Sequence, residues 1–195
     1  MNLDKLQAEI RAEMVPGSVL NAHDAATIAE QTEFLLGIED RLVSSFYDAV
    51  FAHEPTAAVF ALDERPHREA TLRAWWRRTV DAPLDDGYWA WMGLVGVVHI
   101  RRGVRNPMML SMMNHVEQEV GAAAVEAGLD PAVIDRLRSA FAHLTQTASA
   151  VISESYTQSY IGALQSLGGL QPRLLANMLS IEIQAIEDTG RASLD

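Results

Sequence analysis

Apolar residues recur at three- and four-residue spacing along nearly all of this 195-residue chain. No stretch alternates apolar with polar residues between hairpin turns. That period puts an oily stripe on successive helices and leaves no strand to pair, so it predicts an all-α fold. A short amphipathic helix is expected over residues 2–14, ended by Pro16-Gly17. Asp24 is the expected N-cap of the next segment, in which two helices join near Gly37 and the second stops before Pro55. Leu35, Ile38, Leu42, Phe46 and Val50 give that pair its stripe. A loop around ALDERP leads into REATLRAWWRRTV, and PLDD opens a helix through VGVVHIRRGV. Pro107 starts a helix to about Ala127, and Gly128, Asp130 and Pro131 mark the turn before a long helix to about Leu167. After Gly168-Gly169, Pro172 restarts a last helix with Leu175, Met178, Leu179 and Ile186 on one face.

Several functional classes drop out on composition. The chain has no cysteine, which excludes disulfides, thiolate metal sites, iron-sulfur clusters and a cysteine nucleophile. A formal charge of -11 leaves no general basic face for nucleic acid. The longest uncharged apolar run, residues 87–98, is too short to cross a bilayer, and the charged amino end lacks the oily core of a signal peptide. The expectation is a cytoplasmic protein that binds neither nucleic acid nor membrane. No G-x-S-x-G, phosphate-loop or dinucleotide motif is present.

The segment around His99 carries the most chemistry. Met92, Val95 and Gly96 precede it on its helical face, and Arg102 and Gly103 follow at i+3 and i+4. Glycine inside a helix costs about 1 kcal/mol relative to alanine, so Gly93, Gly96 and Gly103 ask for a packing reason. A flat porphyrin is one, with an iron for the imidazole and two carboxylates for Arg101, Arg102 and Arg105. The alternative is an ordinary helix histidine followed by solvated arginines that complement the helix dipole. Met108, Met109, Met112 and Met113 suit either a pocket wall or a dimer seam.

The run VGVVHIRRGV resembles the proximal-histidine segment of the protoglobin and globin-coupled sensor family. FYDAVFAHEP resembles that family's early helix with its distal tyrosine, and the two motifs stand in the family's order. The resemblance covers roughly residues 25–165 after a pre-helix, and eight or so helices of mixed length fit a globin-like packing better than a four-helix bundle. It implies a sensor globin domain over 1–167, with the pre-helix at 1–22, followed by a C-terminal amphipathic helix or linker over 168–195.

It further implies haem b, with His99 as the iron ligand and Tyr47, beside Phe46, donating a hydrogen bond to iron-bound O2. Thr71 and Leu72 would roof the ring, Phe60 would wedge its edge, and Val95, Gly96, Arg102 and Gly103 would contact it. Trp75 and Trp76 read as core. His53, His67, His115 and His143 read as surface or capping residues, although His67 could approach the distal side. Glu64 and His67 form an ExxH that Pro66 interrupts.

The function implied is binding of O2, CO or NO as a gas sensor or sensor domain rather than as an enzyme. The long helix and the tail imply a homodimer, and no output module follows, which implies a separate signalling partner or a longer parent chain. Two alternatives stand beside this: a haem enzyme such as an NO dioxygenase, and a cofactor-free all-α dimerisation or adaptor domain.

Overall fold

The computed structural model describes residues 2–61, 63–169 and 171–193. Among them all regular structure is helical, as the periodicity predicts. The order is α1 (Leu3–Glu13), a 3-10 turn (Pro16–Ser18), α2 (Ala22–Glu30), α3 (Thr32–Gly37), α4 (Glu39–Ala52), α5 (Glu54–Ala57), α6 (Arg65–Asp81), α7 (Asp86–Arg102), α8 (Asn106–Glu126), α9 (Pro131–Gly168) and α10 (Pro172–Ala192). No helix among the described residues is long and apolar enough to cross a membrane.

Two expectations about helix ends are corrected. Asn21, not Asp24, caps α2: its side-chain oxygen accepts from the backbone N–H groups of His23 and Asp24. Asp24 returns the favour by accepting from the Asn21 N–H at 3.0 Å, so it is the acid of a capping box. His143 engages the same carboxylate at 2.8 Å. The second correction concerns residues 22–52, which form three helices rather than two. The Thr32 hydroxyl donates to the Val80 carbonyl, and the Trp76 indole donates to the Leu35 carbonyl, so α3 is tied to α6 instead of continuing α2. The next joint falls at Ile38.

The chain divides into two compact units. Residues 2–156 hold the core, in which Leu35, Leu42, Trp76, Trp89, Phe141, Leu144 and Val151 are sealed from solvent. Burying such side chains contributes about 1.5–3 kcal/mol each. The Trp75 and Trp76 rings lie 6.2 Å apart, and Trp76 also meets Phe141 at 5.7 Å. Both tryptophans are buried. The second unit, from Thr157 on, includes α10, none of whose described side chains is buried.

Candidate cofactor pocket

Helix α7 carries the candidate ligand and is closed at both ends. Asp85 caps its start by accepting from the Tyr88 N–H at 2.9 Å. Gly103 ends it in the left-handed conformation, φ 73°, and the Val104 N–H closes on the His99 carbonyl at 3.0 Å. His99 is thereby fixed in the last turn of a rigid helix.

The imidazole lies against a cavity of about 350 Å³. Phe46 and Val50 of α4, Leu72 and Trp75 of α6, Val95 and Val98 of α7, all four clustered methionines of α8 and Ile152 of α9 form its apolar lining. Thr56, Arg68, Thr71 and Arg102 bring the polar groups besides His99. Burial in this oily wall pushes the His99 imidazole down to about 4, because the charged form loses its hydration. The ring is therefore neutral at pH 7 and keeps a lone pair on one nitrogen. Its Nδ1 is sealed from solvent with no hydrogen-bond partner, and no described protein group bonds to the imidazole at all. A buried polar atom left unused costs about 1–3 kcal/mol, so this ring is not placed here for the stability of the protein alone.

The glycines beside it have other duties than the flat ligand expected. A Cβ on Gly96 would collide with the carbonyl oxygen of Ile152 and lie 3.0 Å from the Tyr156 nitrogen. Gly96 is thus the notch where α7 crosses α9 backbone to backbone. Gly93 faces Ser155 and Leu3, and Gly103 is the left-handed cap. Neither Gly96 nor Gly103 lines the cavity.

Among the expected pocket residues, Phe46, Phe60, Thr71, Leu72, Val95, His99 and Arg102 come together on the cavity. Tyr47 is buried immediately behind Phe46, with ring centroids 5.2 Å apart, and is not part of the lining. Its hydroxyl donates to the Arg68 carbonyl at 3.0 Å, and burial pushes the phenol up to about 12. Of the three arginines expected to face an anion, only Arg102 reaches the cavity, while Arg101 and Arg105 are exposed. Arg102 instead meets Glu64 at 2.6 Å.

Arg68 was missed by sequence reasoning: it lines the cavity and contacts the same Glu64 oxygen at 3.4 Å. The spacing of Glu64 and Arg68, i and i+4 on one helix face, was the available clue. His67 is exposed and away from the cavity, and His115 bonds Ser45 at 3.1 Å. No cluster of three or more His, Asp or Glu among the described residues could hold a metal ion by itself.

The comparison with protein families decides what this pocket belongs to, since the family model described as Protoglobin matches residues 19–161. The chain belongs to the protoglobin family. Among solved structures, the globin domain of the Geobacter sulfurreducens globin-coupled sensor is similar, with a TM-score of 0.63 and 19% identity. The match covers 80% of this chain and 98% of that one. That likeness gives this protoglobin an all-α, globin-like fold. No curated protein matches it.

Protoglobins as globins generally bind haem, and the residues present fit such a group. The fit rests on a neutral imidazole with no protein partner, an apolar cavity beside it, and two guanidiniums on the cavity wall.

Proposed function

We propose that this protoglobin binds haem b through His99 and serves as a diatomic-gas sensor or sensor domain. The observation that carries the reading is the His99 imidazole, neutral, unpartnered and set in an apolar cavity wall. Bound there through His99, haem would supply an iron able to take O2, CO or NO. The chain's own part is to hold the ring between α6 and α7, to keep water off it with Phe46, Phe60, Leu72 and the α8 methionines, and to present Arg102 to its carboxylates.

Thr71 and Leu72 roof the gas side. Tyr47 is the distal donor once its hydroxyl leaves the Arg68 carbonyl and its ring comes out from behind Phe46. The sensor reading rests on the family and on the likeness to a globin-coupled sensor's globin domain. We assign residues 1–167 to the sensor globin domain and 168–195 to an amphipathic linker helix, of which 170, 194 and 195 lie outside the described residues. The exposed Leu174, Met178, Ile181 and Ile186 of that helix support a homodimer, with a signalling partner as the output.

The test is absorption spectroscopy of the purified protein with added haemin. The wild type is expected to shift and sharpen the Soret band of free haemin, His99→Ala to lose that change, and added imidazole to restore it. A wild type that leaves the free-haemin spectrum unchanged, or a His99→Ala spectrum identical to that of the wild type, overturns the reading. On the loaded protein, an O2, CO and NO binding series then identifies the gas.

A further inference from the structure

We propose that Glu64 is an internal stand-in for a cofactor carboxylate, holding Arg68 and Arg102 in place until an incoming carboxylate displaces it. The inference rests on the haem reading and deepens it, since it concerns how the cofactor's anionic edge is recognised.

Arg68 from α6 and Arg102 from α7 both line the cavity, and both point at one oxygen, Oε1 of Glu64, from 3.4 and 2.6 Å. Glu64 itself is not part of the lining. Its second oxygen accepts from the Ala61 N–H at 3.2 Å. Two cations therefore share a single anion, Glu64, and most of their N–H donors are not used on it. Each guanidinium has five N–H donors and commits one to Glu64, and Arg68 Nε is sealed with no partner.

The arrangement is a fork awaiting a second carboxylate. Besides His99 and the indoles of Trp75 and Trp91, the other polar lining side chains are Thr56 and Thr71, whose hydroxyls already donate to the Val50 and His67 carbonyls. A carboxylate entering the cavity finds its strongest partners at this edge. Arg102 lies three residues beyond His99, about 4.5 Å along the same helical face, so an anion there and a ligand on the imidazole can belong to one molecule. Helix α6 fixes where the Arg68 side chain starts, and the carbonyl of that residue also accepts from the Tyr47 hydroxyl. Arg102 and the Ala61 N–H both hold the Glu64 carboxyl below the usual range, so the stand-in is ionised at neutral pH.

The experiment titrates the full-length apoprotein with haemin and with haemin dimethyl ester, which has the same iron and ring but no free carboxylates. Binding is read from the Soret band, and stability from thermal unfolding of the apoprotein. One charge-assisted contact corresponds to about a tenfold preference for haemin over its ester in the wild type. Arg68→Gln and Arg102→Gln should each shrink that preference several-fold, and the Lys variants, which keep the charge, should retain most of it.

Glu64→Gln should lower the melting temperature of the apoprotein, tighten haemin binding several-fold and leave the ester unaffected. Equal wild-type affinity for both porphyrins, with a Soret band that still depends on His99, overturns this proposal and leaves the haem reading standing. Weaker haemin binding by Glu64→Gln also overturns it, because Glu64 would then be a prop and not a competitor. If neither porphyrin gives a His99-dependent band, both readings fall together.

Discussion

At the scale of single residues, a phenol hydroxyl and a guanidinium decide how the pocket is wired. Tyr47 donates to the Arg68 carbonyl, so Tyr47→Phe should cost the apoprotein about 1 kcal/mol, read as a shift in its denaturation midpoint. In the loaded protein the same variant should speed O2 release several-fold, a prediction checked by stopped flow. An unchanged release rate would show that the hydroxyl stays on Arg68 when gas is bound. His99 could be picked out of the sequence because its motif and its oily helical face coincide. The glycines drew attention to the right turn for a different reason, since Gly96 answers to α9 and Gly103 to the helix end. The arginines were legible only in part. Arg101 is two positions from His99 and so faces elsewhere, while Gly103 stops the helix before Arg105 can return to the face. Arg68 comes from a different helix, and no periodicity within α7 could have named it.

Between elements, the crossings and ion pairs that set the pocket are tertiary facts. Gly96→Ala should be the costliest small substitution in α7, since its Cβ meets the backbone of α9 and backbone cannot rotate away. A loss of about 1–3 kcal/mol is expected, read by urea unfolding of the apoprotein. Glu39 at the start of α4 accepts from Arg77 at 2.6 and 2.7 Å and from Arg73 at 3.1 Å, and those bonds, Arg77 foremost, hold its carboxyl below the ordinary value. A carboxylate whose pKa is lower folded than unfolded stabilises the protein above the unfolded value, about 4.5, and that gain is lost as pH falls through the folded one. Glu39→Gln should therefore cost about 2 kcal/mol at pH 7, and the gap to wild type should narrow in denaturation midpoints as the pH is taken below the ordinary carboxylate value. Helix existence was readable from spacing except for the single turn of α5, Glu54–Ala57, where Pro55 opens a helix instead of only ending one. The breaks at Gln31 and Ile38 were not, because the bonds from Thr32 and Leu35 to α6 involve residues some forty positions away.

For the molecule as a whole, the class of fold followed from period alone, whereas assembly depends on faces whose covering the chain does not itself supply. Ile181 and Ile186 of α10 are 71% and 69% exposed, an uncommon setting for isoleucine on an acidic protein. If α10 is the dimer contact, Ile181→Glu with Ile186→Glu should convert a dimer to a monomer in sedimentation velocity while leaving the haem spectrum unchanged. A wild type that already sediments as a monomer removes the contact. The crossing at Gly96 has a mechanical side as well. One turn before the imidazole, α7 rests on α9 with no side chain between them to act as a cushion. With no side chain there to repack, a shift of α7 at that point would press directly on the backbone of α9.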